Sequence, residues 1–289
     1  MSYATSWHWH ESFTEAFDPD SRITMSLLKR ALIAISGNAP MQRVLGKTAQ
    51  VSQYLMGIGS GGEVISSGEG AVLRLLRRRS KPPYCIFDVG SNEGQYLQLV
   101  RDHYPDEDHS IHCFEPARET FKRLVDAAKA DPRVRLNNIG LGRERGEAVL
   151  HYDRSGSGLA SLTKRRLDHF GLAFSESESV RLDTIDSYCS TNAIRHIHLL
   201  KVDVEGHELD ALGGATTMFA EHAIDVVTFE FGGCNIDTRT FFQDFWYFFA
   251  EFGFDFFRIA PSGYLLPVTT YHEAHEQFRT MNFVAVSRH

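Results

Sequence analysis

The sequence predicts a doubly wound α/β fold, in which helices cover both faces of a mainly parallel sheet. Short, nearly continuous apolar runs alternate with helical patterns from Tyr84 onward, as is typical of strands buried on both sides. A glycine-rich turn follows the first apolar run, and an acidic residue, Glu115, follows the second. Because ligands bind at the carboxyl ends of parallel strands, both features predict a ligand site at this edge of the sheet.

Five apolar runs predict the parallel strands, at residues 85–89, 111–114, 134–139, 198–203 and 224–231. Helical spacing of apolar residues predicts the connecting helices, at residues 93–104, 118–130 and 207–220. An interruption at about 143–190 holds an extra strand at 148–152 and the serine-rich stretch 155–179. The tail predicts an aromatic helix packed on the sheet and two closing strands, at 241–252, 254–260 and 281–286.

Two parts of the chain are expected to differ in structure. Residues 1–65 should form a helical N-terminal extension, and residues 66–289 the α/β domain. Ser66 and Glu69 have the spacing of a capping box, which predicts that a helix of the α/β domain begins there. Pro82 ends this helix.

The composition is that of an ordinary globular protein, with 43% hydrophobic and 23% charged residues among 289. A net charge of −7 argues against a nucleic-acid partner, because phosphate binding needs a basic surface. No apolar stretch is long enough for a membrane span, and the N-terminus lacks the apolar region of a signal peptide. Four scattered cysteines indicate reduced thiols, so we expect a cytoplasmic protein. The sequence leaves open whether the protein forms a homo-oligomer.

The turn after the first strand predicts the cofactor. Its sequence is Asp88-Val89-Gly90-Ser91-Asn92-Glu93-Gly94. Glycines at such a turn let the backbone approach a ligand closely, but Asn92 stands where the dinucleotide fingerprint has its second glycine. Asp88 would repel a pyrophosphate and attract a cation. S-adenosylmethionine (SAM) carries an ammonium and a sulfonium without phosphate, so we expect SAM rather than NAD to contact Asp88, Gly90, Ser91, Asn92 and Gly94.

Two further strand ends carry candidate cofactor contacts. Glu115 lies about 20 residues after the glycine turn, where an acid accepts hydrogen bonds from ribose hydroxyls, and Pro116 follows it. A helix cap is the alternative reading of Glu115. Asn138, at the end of the third strand, is a candidate contact on the adenine side, and a turn-stabilising asparagine is the alternative.

The fourth strand ends in alternating charges, Lys201-Val202-Asp203-Val204-Glu205-Gly206-His207-Glu208. The two-residue period of a strand places Lys201, Asp203 and Glu205 on one side, at the ligand-binding edge. We expect these residues to act at the reacting centre. The alternative is a partly buried ion pair between Lys201 and Asp203, with Glu205 starting the next helix.

Together these residues resemble the FkbM family of methyltransferases over roughly residues 62–287. The resemblance rests on four segments, 87–94 (FDVGSNEG), 114–116 (FEP), 181–186 (RLDTID) and 200–208 (LKVDVEGHE). It implies a Rossmann-like, seven-stranded SAM-binding sheet with the last strand antiparallel, and methyl transfer usually to oxygen. Family acceptors include sugar hydroxyls of bacterial glycans and hydroxyls of secondary metabolites.

The implied reaction requires that a poorly acidic hydroxyl lose its proton. The pKa of water, roughly 15.7, indicates the size of the problem, which a base or a metal can solve. Asp203 is the leading candidate base, and His207 is the second because its usual pKa is closer to neutrality. Asp203, Glu205 and Glu230 could instead bind Mg²⁺ through oxygen, although we expect activity without metal. His8 and His10 lack a third ligand, so no metal site is assigned to them.

The function expected is therefore O-methylation of a hydroxyl on a bacterial sugar or glycan. An O-methyltransferase of a secondary metabolite is one alternative, and a non-catalytic SAM-binding module, recognised by binding without turnover, is another. The stretch 155–179 with its basic residues Lys164, Arg165 and Arg166 is expected to form a polar lid, or else an ordinary solvated loop. A nucleic-acid methyltransferase of the amino-directed kind would carry Pro-Pro-Tyr after strand four, but Pro82-Pro83-Tyr84 precedes strand one.

Overall fold

The structure, a computed structural model, describes residues 19–64 and 66–289. The chain divides into two compact units, residues 1–52 and 53–289. The described part of the first unit is helical, with α1 (Pro19–Ser36) and most of α2 (Ala39–Leu55), whose side chains are all at least partly exposed. His8 and His10 lie outside the described residues. The limit of the extension at residue 65 stays a prediction.

The second unit contains all of the strands described. In chain order they are β1 (Tyr84–Val89), β2 (His109–Phe114), β3 (Val134–Asn137), β4 (Gly140–Leu141), β5 (Gly146–Tyr152), β6 (Glu176–Asp183), β7 (Ile197–Val202), β8 (Ile224–Phe231), β9 (Phe254–Ile259), β10 (Leu265–Val268) and β11 (Met281–Ser287). The helices are α3 (Gly70–Arg79), α4 (Gln95–His103), α5 (Arg118–Ala128), α6 (Ile185–Thr191), α7 (Glu208–Gly213), α8 (Thr216–Ala220), α9 (Cys234–Thr238) and α10 (Phe242–Glu251). Single turns of 3₁₀ helix lie at Asp168–Phe170 and Glu273–His275.

Eight strands form the central sheet, in the order β10-β9-β11-β8-β7-β1-β2-β3. Strands β3, β2, β1, β7 and β8 are parallel to one another, and β11 is antiparallel to both β8 and β9. The predicted α/β sheet with an antiparallel last strand is confirmed. The sheet has eight strands rather than seven because β10 pairs with β9 at the edge.

A second, three-stranded sheet has the order β4-β6-β5 and arises from the interruption of the α/β alternation. The extra strand predicted at 148–152 is confirmed as part of β5. Its partner β6 was not predicted, because its sequence is polar and only one of its eight residues is buried.

The apolar core lies on both faces of the central sheet. Alternate residues of β1 point to opposite cores, with Phe87 in one and Ile86 in the other. The aromatic helix is confirmed as a core element, because the ring of Phe245 on α10 stacks on Phe229 of β8 at 4.6 Å between centroids. Tyr247, on the other side of α10, is exposed.

Two predictions about helices are wrong. The helix predicted at 207–220 is broken into α7 and α8, because the Asp186 amide donates to the Gly214 carbonyl at 2.9 Å and its carboxylate accepts from the Thr217 and Met218 amides at 2.8 and 3.1 Å. The capping box predicted at Ser66 and Glu69 does not form. Helix α3 begins at Gly70, and the Glu69 carboxylate instead accepts a hydrogen bond of 2.6 Å from the Ser67 hydroxyl.

All four cysteines have free thiols, as their spacing predicts. Cys113, Cys189 and Cys234 are buried, and Cys85 is half-buried. Within residues 19–64 and 66–289, no helix combines the length and the apolarity needed to cross a membrane.

Candidate active site

Polar side chains follow one another along the edge of the sheet where the parallel strands end. Glu115 follows β2, the glycine turn follows β1, Asp203 follows β7, and Glu230 lies in the last residues of β8. Neighbouring strands lie ~4.8 Å apart, so the distance from β2 to β8 across three such steps is about 14 Å. This edge can therefore hold an elongated ligand laid across β2, β1 and β7, with room beyond it.

The glycine turn is held against the end of β7. Gly90 has φ +80°, and a Cβ at this position would lie 1.8 Å from the carbonyl oxygen of Asp203. The Asp203 amide in turn donates to the Val89 carbonyl at 2.9 Å. Gly94, at φ +94°, starts α4 and packs against α5. Only glycine satisfies both the backbone conformation and the close approach at residue 90.

A buried ion pair lies under the turn. The Lys201 ammonium is 3.1 Å from Asp88 Oδ1 and 3.5 Å from Asp203 Oδ2, and it donates to the Gly90 carbonyl at 2.9 Å. Burial lowers the pKa of Lys201, but Asp88, Asp203 and Glu69 outweigh burial and raise that pKa above its usual value. Lys201 and Asp203 thus do form the ion pair predicted as the alternative, and Asp88 joins it as a second acid. Asp88 is completely buried, so it faces Lys201 and not a cavity.

Glu115 is buried, and its carboxylate is held against the turn. Oε1 accepts from the Ala117 amide at 2.9 Å, and Oε2 accepts from the Asn92 amide at 3.0 Å. Burial raises the pKa of Glu115 to about 7, against the opposing effect of these two hydrogen bonds. The carboxylate therefore has a fixed direction and still has lone pairs for a ligand.

A smaller cavity lies between β1, β2 and the second sheet. Its walls include Glu115, Pro116, Asn92 and several leucines, Leu141, Leu150, Leu162 and Leu182. The Asn138 side chain donates to the carbonyls of Glu115 and Pro116, at 2.9 and 3.0 Å, and so supports the wall from behind. Asn138 is not among the residues that line this cavity. The result is an apolar slot that ends at a carboxylate.

A larger cavity of about 1000 Å³ opens on the other side of the turn. Its wall includes Gly90, Ser91 and Lys201, and also Asp203 and Glu205, the two acids that follow β7. Asp203 and Glu205 line the smaller cavity as well. Ser91 is almost fully buried, and its hydroxyl donates to the Asp88 carbonyl at 2.7 Å. Small-molecule sites usually have volumes of ~300–1000 Å³, so this cavity has room for more than one part of a cofactor.

The segment 153–175, here called the strap, forms a wall shared by both cavities. Arg165 in the strap has a buried side chain whose Nη1 contacts Glu205 Oε2, and its Nε lies 3.6 Å from Asp237 Oδ2. Lys164 and Arg166, the basic residues on either side, are exposed. Of the three basic residues predicted for a polar lid, one thus faces the site.

Glu205 occupies a turn that few residues tolerate. Its φ is +54°, and the buried Glu208 carboxylate holds the turn by accepting from the amides of Val204 and Gly206 at 3.1 and 3.0 Å. Burial raises the pKa of Glu205, Asp203 raises it further, and Arg165 opposes both. The side chain is therefore committed to the strap, whose Ser161 hydroxyl also donates to the Glu205 carbonyl at 2.8 Å.

His207 is tied on both sides of its ring. Nε2 lies 3.0 Å from the Thr163 hydroxyl of the strap, and Nδ1 lies 3.0 Å from Asp210 Oδ2. Asp203 differs, because 36% of its side chain is exposed and its only close charged partner among the described residues is Lys201. Of the two candidate bases, Asp203 is the one with free access to a ligand.

Glu69 and Asn282 were not predicted as part of a ligand pocket, and Glu230 was considered only as a possible Mg²⁺ ligand. Glu69, Glu230 and Asn282 all line the larger cavity. Burial raises the pKa of Glu69 to about 7, with the Ser67 hydrogen bond opposing it. In the sequence, Asn282 is marked only as a single polar residue in an apolar strand. Glu230 is marked only as an acid near the end of an apolar strand. Glu69 carried the misleading spacing of a helix cap.

A cluster of possible metal ligands lies at the opposite end of the sheet. His196, His198 and Asp225 place ligand atoms within 4.8 Å of one another, whereas Asp203, Glu205 and Glu230 form no such group in the part of the chain that the structure describes. His198 Nδ1 accepts from the Cys85 amide at 3.0 Å, so the neutral ring carries its proton on Nε2 and has no free lone pair. Asp225 is also occupied, by His196 and by the Ser80 hydroxyl at 2.9 and 2.7 Å. The cluster is a hydrogen-bond network, and independence from Mg²⁺ stays a prediction.

Comparisons with known proteins agree with this arrangement. A family model described as the methyltransferase FkbM domain matches residues 88–256. The hexuronic acid methyltransferase AglP of Haloferax volcanii is 27% identical over 150 residues, which are 52% of this chain and 57% of that protein. The 2-O-methyltransferase NoeI of Sinorhizobium fredii is 26% identical over 145 residues, 46% of this chain and 58% of that protein. The chain thus spans a little over half the length of the curated relatives it matches.

Among solved structures, the crystal structure of methyltransferase FkbM from Methylobacillus flagellatus aligns with 93% of this chain and 71% of its own chain. The sequence identity is 12% and the TM-score is 0.43.

Proposed function

The chain belongs to the FkbM methyltransferase family, and from this premise we propose that it transfers a methyl group from SAM to a hydroxyl of a sugar or glycan. The observation that carries the proposal is the order of groups along the sheet edge. A fixed carboxylate at Glu115, the glycine turn and the accessible carboxylate of Asp203 follow one another across adjacent strands. A cofactor on one side of Asp203 and an acceptor on the other would meet at this residue.

The residues of the smaller cavity and the turn fit SAM. An apolar slot suits adenine, and a carboxylate at its end suits the two ribose hydroxyls. Acidic side chains outnumber basic ones on the wall of the larger cavity, which favours a ligand carrying an ammonium and a sulfonium. We assign direct cofactor contacts to Gly90, Asn92 and Glu115, while Asp88 acts by fixing Lys201.

The residues assigned to the methyl transfer itself lie at the end of β7. When bound, SAM supplies a methyl group on a sulfonium, so the protein has to align the acceptor hydroxyl and remove its proton. Asp203 is assigned as the base, because its carboxylate lines both cavities and is open to solvent, to which it can release the proton. Lys201 orients this carboxylate from 3.5 Å away.

A sugar acceptor is supported by two observations. The names of AglP and NoeI refer to a hexuronic acid and to 2-O-methylation, at 27% and 26% identity. The larger cavity carries many polar groups that can orient hydroxyls. The α10 phenylalanines Phe242, Phe245 and Phe249 are buried in the core, so this helix does not supply an apolar mouth for a hydrophobic metabolite.

The cofactor is tested by calorimetric titration of the whole protein with S-adenosylhomocysteine (SAH), with SAM and with NAD. We expect SAH and SAM to bind and NAD not to bind. NAD binding without SAH binding would refute the cofactor assignment. Mass spectrometry of glycans from the source organism with and without the gene then tests the acceptor, because O-methylation adds the mass of one CH₂ group.

A further inference from the structure

Glu230 and Asn282 stand opposite each other on paired strands. Strands β8 and β11 are antiparallel, and their register places these two residues directly across from one another. Side chains of directly opposite residues project from the same face of a sheet. Both line the larger cavity, two strands or more beyond the glycine turn. They therefore form a polar floor on the side of Asp203 away from Glu115.

Neither side chain has a partner within the described residues. Asn282 is 5% exposed, yet its side-chain amide makes no hydrogen bond to any residue that the structure describes. The Glu230 carboxyl makes no hydrogen bond or ion pair there either, and burial raises its pKa well above the usual value, with Asp203 and Glu205 adding to the effect. Buried polar groups are normally satisfied, so an amide and a carboxyl left open toward a cavity indicate a ligand that completes them.

The chemistry of the pair matches hydroxyl groups. The Asn282 amide offers a carbonyl and N–H donors, and the Glu230 carboxyl offers oxygens that accept hydrogen bonds. Side by side, the amide can donate to one hydroxyl oxygen while the carboxyl accepts from a neighbouring hydroxyl. Hydroxyls on a sugar ring suit such a pair, because each can both donate and accept.

The charges around the cavity indicate that the sugar is uncharged. Three basic residues line the wall, and two of them are already paired, Lys201 with Asp88 and Arg165 with Glu205 and Asp237. The third, Arg279, is exposed and donates to the Gln53 side chain at 2.8 Å. A sugar carboxylate placed on Glu230 and Asn282 would meet acidic groups without a free buried cation to offset them.

We propose that Glu230 and Asn282 form the acceptor subsite, which binds neighbouring hydroxyls of an uncharged sugar and disfavours the corresponding hexuronate. This inference rests on the proposed function and narrows its substrate class. It also sets this chain apart from AglP, whose name refers to a hexuronic acid.

Saturation-transfer NMR on the whole protein with saturating SAH tests the subsite. The probes are the methyl glycosides of glucose, galactose and mannose, each compared with its uronate. We expect at least one neutral glycoside to bind, and its uronate to bind on the order of tenfold more weakly. Binding of every uronate as tightly as its neutral partner, or binding of no glycoside while SAH binds, would overturn the proposal.

Variants assign the effect to the two residues. Glu230→Ala and Asn282→Ala should each weaken the neutral glycoside on the order of tenfold while SAH affinity, measured by calorimetry, stays unchanged. Glu251→Ala, an exposed acid on α10, is the matched control and should bind both ligands normally. Unchanged glycoside binding in both variants would overturn the proposal.

Two further measurements keep the test decisive. Glu230→Gln retains the shape and hydrogen bonding of the side chain, so it should fold and keep most glycoside binding if Glu230→Ala proves unstable. Failure of the wild-type protein to bind SAH would refute the proposed function itself, which separates that failure from failure of the subsite.

Discussion

The side of the site at β1 and β2 differs from the side at β8 and β11 in how its polar groups are satisfied. At β2, both carboxylate oxygens of Glu115 accept backbone amides, and at β1 the Ser91 hydroxyl is bonded to the Asp88 carbonyl. At β8 and β11, Glu230 and Asn282 have no partner among the described residues. The first side is built before a ligand arrives, whereas the second is completed by one. A fixed site suits a constant ligand, and an open one suits an acceptor that differs between proteins.

The largest loss of stability is expected from removing the buried ammonium of Lys201, which supports the fixed side of the site. Lys201→Met would leave Asp88 buried and unpaired, so the free energy of unfolding should fall by about 3–5 kcal/mol. Urea denaturation measures the loss. Lys122→Met, which breaks the exposed pair with Glu119, should change stability by less than about 1 kcal/mol. Equal losses in the two variants would show that the buried pair does not support the turn.

Glu115→Ala should weaken SAH binding next most strongly. Each ribose hydrogen bond to a charged group is worth roughly 1.5–3 kcal/mol, so affinity should fall at least tenfold while the protein stays folded. Calorimetry measures the affinity and circular dichroism the fold. Glu147→Ala, an exposed acid on β5, is the control. Unchanged SAH affinity in folded Glu115→Ala would refute the ribose assignment.

Arg165→Ala should loosen the strap, which belongs to both sides. Removing the guanidinium leaves Glu205 and Asp237 without their shared partner, a loss of roughly 1.5–3 kcal/mol in local stability. Hydrogen exchange of the strap amides should accelerate by a corresponding factor. Lys164→Ala removes an exposed neighbour and should leave the exchange rates unchanged. Similar rates in the two variants would mean that Arg165 does not hold the strap.

A change of pH should also alter the stability of the ligand-free protein. The folded-state pKa values of Glu69 and Glu115, both about 7, exceed the usual 4.5, so the folded protein binds these protons more tightly than the unfolded chain. Their contribution to stability is therefore complete below about pH 4.5 and is lost as pH rises through 7. The melting temperature of the ligand-free protein should therefore fall as pH rises across this window. Glu69→Gln should flatten the dependence, and an unchanged slope would contradict the assignment.

The comparison also explains what the sequence could predict. The turn at Gly90 and the segment from Lys201 to Glu208 are each continuous in the sequence. Neighbouring residues there determine both the backbone conformation and the chemical groups of the site. Glu115 is separate but lies at a fixed distance along one β-α-β unit. These residues make up the fixed side of the site.

The open side could be predicted only through Glu230, as a possible metal ligand, because its residues are far apart in the chain and ordinary in their local context. Glu230 and Asn282 meet only through the antiparallel pairing of β8 with β11. Glu69 comes from the start of α3, where its spacing fits a helix cap equally well. Tertiary contact likewise decides the break between α7 and α8, since Asp186 on α6 takes the hydrogen bonds that would otherwise join Gly214 to Met218.

The strap has a thermodynamic consequence. Gly158 in the strap lines both cavities, and the chain around it is tied to Glu205 and His207 at the end of β7. A ligand that restrains this shared wall from one side reduces the conformational entropy that remains to be lost when the other side is filled. Such linkage is reciprocal: whatever factor the cofactor contributes to acceptor affinity, the acceptor returns to cofactor affinity. The two ligands are then bound as a cooperative pair, although no residue has to change its position.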